Sequence, residues 1–184
     1  IPWENIMISG FVMASKNDAE VVKVASMKSQ AAASYDVSVE QDKSVMQYNV
    51  LNEDGTTYTA YIEASKKIVA PEDSTSLLAI STATSITGLE NLDTSKVTNM
   101  YGFFNGVKAT SLDISSLDTS NVTNMGLMFG ATNNLQTIDL SKLDSSNVTN
   151  MSLMFCQSGI TQIDLSPLNT SKVTNMFNMF GDTN

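Results

Sequence analysis

The sequence predicts an α+β chain in three parts. An N-terminal arm and helix occupy residues 1–34, a small β-rich cap 35–85, and a β/α solenoid of about four short coils 86–184. Two observations carry this reading. The string V-T-N-M stands at Val97–Met100, Val122–Met125, Val148–Met151 and Val173–Met176, at spacings of 25, 26 and 25 residues. A fixed period of roughly 20 to 50 residues marks a supersecondary unit that buries its apolar face by stacking on copies of itself. Within each unit the side-chain period switches once. Leu112-Asp113-Ile114-Ser115, Ile138-Asp139-Leu140-Ser141 and Ile163-Asp164-Leu165-Ser166 alternate as a half-buried strand does. Val148, Met151, Met154 and Phe155 fall at i, i+3, i+6 and i+7, a helical stripe of about two turns. Between strand and helix, D-T-S or D-S-S supplies turn and helix-start chemistry.

From the N-terminus, Ile1–Ala14 is apolar and broken by Gly10, so it serves as a strand or a docking arm. Asn17 and Asp18 cap a helix running to about Ser34, with Val21, Val22, Ala25 and Ala32 on its apolar side. Alternation from Tyr35 predicts strands at Asp36–Val39, Val45–Leu51 and Thr56–Ile62, with Asn52–Gly55 as a hairpin loop and a short strand near Lys67–Ala70. Such a meander covers the first coil of a stack. Pro71–Ser74 reads as a helix start, Leu77-Leu78 lies in the register of Phe103-Phe104, and a degenerate first strand follows at Ile86–Leu92. In the repeats, Phe104, Phe129 and Phe155 are expected to form one buried column and Met100, Met125 and Met151 another. The last coil is expected to expose Val173, Met176 and Phe180.

On these residues the chain resembles a family. Leu135-x-x-Ile138-x-Leu140 is similar to the strand signature of leucine-rich repeats, and I-D-L-S-x-L-D-x-S-x-V-T-N-M-x-x-M-F resembles the 26-residue repeat of bacterial surface proteins, the BspA-like leucine-rich repeat group. The resemblance covers 86–184, and Tyr58–Leu78 is similar to the segment leading into such arrays. It implies a leucine-rich-repeat-like solenoid and display at a bacterial cell surface. One departure is plain: where common leucine-rich repeats place Asn or Cys after the strand, this chain has Leu117, Leu143 and Leu168, so no asparagine ladder is expected there.

Composition narrows the function. The formal charge is −9 and all ten basic residues are lysine, with no arginine or histidine. Nucleic-acid binding requires a basic stripe, so no nucleic-acid partner is expected. Without histidine the commonest general base and transition-metal ligand are missing, and no catalytic residue, cofactor or metal is assigned. Cys156, the single cysteine, holds the position of Asn105, Gly130 and Gly181 in the other coils, and reads as a small residue at a tight exit rather than a nucleophile. Eleven methionines suit a core whose soft side chains fill equivalent slots in unlike coils. No apolar run is long enough for a membrane span. The chain starts without Met and is read as a trimmed piece or a subunit of something larger.

The candidate binding face is the outward set of the alternating segments: Ser111, Asp113 and Ser115, then Thr137, Asp139 and Ser141, then Gln162, Asp164 and Ser166. Stacked strands would align Asp113, Asp139 and Asp164 into a carboxylate column, either a calcium site or plain solvated surface. The row Asp93, Asp118, Asp144 and Asn169 reads as turn chemistry. The N-glycosylation patterns at Asn121, Asn147 and Asn169 are by-products of the repeat. Two functions compete. One is a non-catalytic, extracellular, adhesin-like module that presents its repeat face to protein or glycan ligands. The other is a structural or decoration subunit of a virion, phage tail or appendage, docked by its N-terminal arm, with self-association through the arm or the last coil.

Overall fold

The computed structural model describes residues 8–15, 31–36, 45–64 and 66–183. Five strands make a mixed sheet: β1 (Ile8–Ser15), β2 (Ala31–Asp36), β3 (Val45–Leu51), β4 (Tyr58–Ala64) and, after the short β5 (Ile68–Val69), β6 (Ser85–Thr87). Their order is β2-β3-β4-β1-β6. The alternating strings at 45–51 and 58–64 pair antiparallel from Val45↔Ala64 to Leu51↔Tyr58. The loop between them closes with Gly55 at φ 68°, and Asp54 accepts hydrogen bonds from the N–H groups of Thr56 and Thr57 at 2.9 and 2.8 Å. These bonds, led by the one from the Thr57 hydroxyl, lower the Asp54 pKa to about 2.

The N-terminal expectations change. Residues 31–34 are the start of β2, not the end of a helix; the rest of that helix, Val37–Val39 and Ile1–Met7 lie outside the described residues. The arm is an inner strand. β1 runs parallel to β4 on one side and to β6 on the other, so its burial comes from its own sheet. Gly88, at φ 80°, passes so close to the Met13 carbonyl that a Cβ there would lie 1.9 Å from its oxygen. Asn91 Nδ2 donates to the same carbonyl at 3.2 Å. Sheet and repeats meet at this point and share one core, with Met13 and Ile62 packed among the repeat residues.

The β/α solenoid is overturned. Among the described residues the helical content is one 3-10 turn, Leu89–Asn91, and the I-D-L-S segments of the later coils pair into no ladder. The helix predicted from Pro71 is also a run of turns. Coil nevertheless lies on coil in register, through parallel bridges Asp73↔Asn99↔Asn124↔Asn150↔Asn175, and β5 pairs with β7 (Leu92–Asp93).

Competition for N–H groups explains the missing helix. A helix would spend each N–H four residues back along its own turn. Here alternate N–H groups of V-T-N-M-x-x-M-F cross to the next coil: Met125 to the Asn150 carbonyl at 2.9 Å, Leu127 to Ser152 at 2.9 Å, Phe129 to Met154 at 2.9 Å and Ala131 to Cys156 at 2.8 Å. The interleaved bonds, Met128 N–H to the Met125 carbonyl and Gly130 to Leu127, close tight turns. Leu127 and Ala131 therefore adopt φ 55° and 53°, and Leu153, Gln157, Asn178 and Asp182 repeat the pattern. A left-handed residue every fourth position cannot belong to an α-helix.

The inward register survives this change. Val122, Met125, Met128 and Phe129 are fully buried, as are Val148, Met151, Met154 and Phe155. The phenylalanines stack from Phe104 to Phe129, Phe155 and Phe180, with centroids 5.8, 5.5 and 5.3 Å apart and planes within 12°. Met176 and Phe180 in the outermost coil are exposed, as expected, and Val173 is half-buried.

Candidate binding face

Each of the last three coils turns three corners, and each corner begins with an Asp or Asn whose side chain accepts the N–H two residues on. In the second coil these are Asp113 to Ser115 at 3.0 Å, Asp118 to Ser120 at 3.0 Å and Asn124 to Gly126 at 3.0 Å. This is the Asx-turn preference of short carboxylate and amide side chains. Asp139, Asp144 and Asn150 repeat it, then Asp164, Asn169 and Asn175. The D-T-S row thus has the turn role read from sequence.

Two features between the coils were missed. Thr119 Oγ1 donates to the Asp144 carbonyl at 2.9 Å and accepts that residue's N–H at 2.8 Å. Thr94 clasps Asp118 likewise, and Ser145 clasps Asn169. The sequence signal was a hydroxyl residue always following the turn Asp. An amide column also exists, at the Asn of V-T-N-M, with Asn150 Nδ2 donating to Asn124 Oδ1 at 3.0 Å. It is not at Leu117 and Leu143, which are buried in the core.

All nine candidate face residues are exposed: Ser111, Asp113, Ser115, Thr137, Asp139, Ser141, Gln162, Asp164 and Ser166. The structure brings the three carboxylates within electrostatic reach, Asp139 opposing ionisation of both Asp113 and Asp164. Local bonds outweigh that repulsion. The Ser115 hydroxyl and then its N–H hold the Asp113 pKa below the usual carboxylate value; for Asp139 and Asp164 the N–H of Ser141 or Ser166 leads and the hydroxyl follows. Lys142 adds to the lowering at Asp139. Among the described residues no group of three or more Asp, Glu, Cys or His is placed to hold a metal ion. The amides of the glycosylation patterns are engaged: Asn121 and Asn147 donate to the Ser95 and Ser120 carbonyls, and Asn169 accepts from Ser171. Cys156 is half-exposed and unpaired by any disulfide.

The face is not a flat sheet. Grooves open between its segments, one of about 570 Å³ between residues 84–90 and 111–116, another of about 380 Å³ between 112–115 and Asp139 with Lys142.

The family described as "Mycoplasma protein of unknown function, DUF285" matches residues 75–184, which span all the coils. The chain belongs to this family. No curated protein and no solved structure matches it. In this DUF285 chain the match takes in the nine face residues and leaves out β1 to β5.

Proposed function

We propose that the chain is a non-catalytic, surface-displayed interaction module of the BspA-like kind, presenting its repeated Asp, Ser and Thr face to protein or glycan ligands outside the cell. The observation that carries this is one exposed face built three times over on a rigid stack, its side chains free of the core's packing demands. Absence of histidine and arginine supports a binding role over acid–base chemistry. Residues 8–15, the part of the arm that is described, are enclosed between β4 and β6, which favours the module reading, while the exposed Met176 and Phe180 of the last coil remain the contact that the assembly reading would use.

The test couples the 184-residue protein to a sensor surface and measures binding to matrix proteins and a glycan panel. The comparison is the triple variant Asp113→Lys, Asp139→Lys and Asp164→Lys. Binding should weaken at least about tenfold, the effect of one lost polar contact of ~1.4 kcal/mol. A folded triple variant that binds as well as the parent would sink the reading.

A further inference from the structure

The larger groove of the face, about 570 Å³, separates β6 and the 3-10 turn after it from Ser111–Ser116. The two segments are stitched at one end, where the Lys108 N–H reaches the Ala83 carbonyl at 2.8 Å. Among the described residues no hydrogen bond joins 84–90 to 111–116 beyond it. Strand alternation puts Ile86 into the core and turns Ser85 and Thr87 outward, and Ser111, Asp113, Ser115 and Ser116 are exposed on the facing wall.

Most polar groups of this groove are uncommitted. Among the described residues the hydroxyls of Ser85, Thr87, Ser111 and Ser116 make no hydrogen bond, whereas that of Thr84, on the same wall, donates to the Ser9 carbonyl at 3.0 Å. Asp113 is engaged through one oxygen. The Ser115 N–H and hydroxyl both donate to its Oδ1, at 3.0 and 2.6 Å, which holds the carboxylate in one orientation with Oδ2 open.

The lining selects the class of ligand. Its two large apolar members, Ile86 and Leu89, are buried, and it holds no aromatic side chain, methionine or arginine, the residues on which a protein partner anchors. Glu90 and Asp113 line it without a lysine, so an anionic ligand is repelled. The next groove differs, with Lys142 beside Asp139. A bare cation would engage the two carboxylates and leave the four hydroxyls without partners. A ligand that is itself rich in hydroxyls matches both, because its O–H groups donate to carboxylates and exchange hydrogen bonds in either direction with Ser and Thr.

We infer that this groove binds a neutral oligosaccharide. Asp113 Oδ2 and the Glu90 carboxylate accept from its hydroxyls, and Ser85, Thr87, Ser111 and Ser116 supply partners that donate or accept as each sugar group requires. This rests on the face being a binding surface, and names the ligand class for one part of it. The volume falls within the ~300 to 1,000 Å³ of small-ligand clefts.

The probes are maltotriose and the trimer of N-acetylglucosamine, with sialyllactose as the anionic control and a lysine–valine hexapeptide as the protein-like one, each titrated into the isotope-labelled full chain and followed by amide NMR. A neutral trisaccharide should shift the signals of 84–90 and 111–116 saturably in the millimolar range, and sialyllactose should not. Asp113→Asn keeps its turn, as Asn124 does at its own corner, and Glu90→Gln alters an exposed side chain. Each should weaken binding at least about tenfold, with the spectrum elsewhere unchanged. Silence from both neutral sugars at tens of millimolar, equal binding of sialyllactose, or full affinity in both variants overturns the inference. Shifts from the hexapeptide alone would assign the groove to a protein partner and overturn it too. If matrix binding depends on Asp139 and Asp164 while both sugars are silent, this inference falls and the module reading stands. Sugar binding here that ignores Asp139→Lys and Asp164→Lys, with no ligand found for the rest of the face, upholds the inference and removes the repeated face as the binding element.

Discussion

The sheet and the stack satisfy their backbones in different ways. In β3 and β4 every residue is extended, and partners lie in one antiparallel ladder that runs unbroken from Val45↔Ala64 to Leu51↔Tyr58. In the stack the backbone changes conformation every few residues, and its long-range bonds run to the neighbouring coil, 23 to 27 positions away. A ladder tolerates many side chains because its bonds are all between backbone groups. The stack depends on particular residues, an Asp, Thr or Phe at one place in each coil, because each performs a job the backbone cannot.

That contrast predicts unequal damage. Phe129 is fully buried between Phe104 and Phe155, so Phe129→Ala should cost ~3 to 5 kcal/mol in denaturant unfolding. Val50→Ala in β3 should cost clearly less. Equal losses would show that the ring column contributes no more than ordinary burial.

A finer cut separates hydroxyl clasp from packing. Thr119→Val keeps the shape but leaves the Asp144 N–H and C=O without their partner, and should cost ~1 to 3 kcal/mol. Thr119→Ser should recover most of it. If valine is as stable as threonine, coil-to-coil bonding on that corner is set by the backbone alone.

The smallest effect is on acidification. Asp73, Asp93, Asp113, Asp139, Asp144 and Asp164 all have pKa values lowered below 3.8 by turn hydrogen bonds, with a seryl or threonyl partner as the leading cause in each. Lowered carboxylate pKa values favour the folded state above the unfolded value, and that contribution disappears as pH falls through the folded values. Thermal stability should therefore hold from neutrality to about pH 5 and decline below 3.8. The decline should be shallower when Asp113, Asp139 and Asp164 are all Asn, since an amide keeps the turn bond at any pH. A triple variant with an unchanged acid profile would assign the acid sensitivity elsewhere.

Much of this molecule is legible from residue order. The hairpin at Asn52–Gly55, the inward set of each repeat, the phenylalanine column and the exposure of Asp113, Asp139 and Asp164 all follow from periods of two and of about 25. Conformation was not, because V-T-N-M-x-x-M-F buries the same residues as a helix or as a chain of turns. A leucine such as Leu127 gives no hint of a left-handed φ. The hint lay across the coils: the same place holds Gly102 and Asn178, and the place four residues on holds Gly106 and Asp182, residues that tolerate that region. The β6 groove was not legible either. One of its walls, β6, is a strand only because β1, from the start of the chain, pairs with Ser85–Thr87.

The coil-to-coil bonds also have an electrical meaning. The peptide joining Asn124 to Met125 accepts from Met100 through its carbonyl and donates to Asn150 through its N–H, so one amide relays to the next. The relay runs Ser74, Asn99–Met100, Asn124–Met125, Asn150–Met151, Asn175, and parallel relays pass through Leu127, Phe129 and Ala131. Each amide carries a dipole of about 3.5 D, and within a relay they point the same way, each polarising its successor. This flank of the stack is thus an electret whose positive pole lies at residues 176–182. An added carboxylate is favoured there, and a lysine is better tolerated near Asp73.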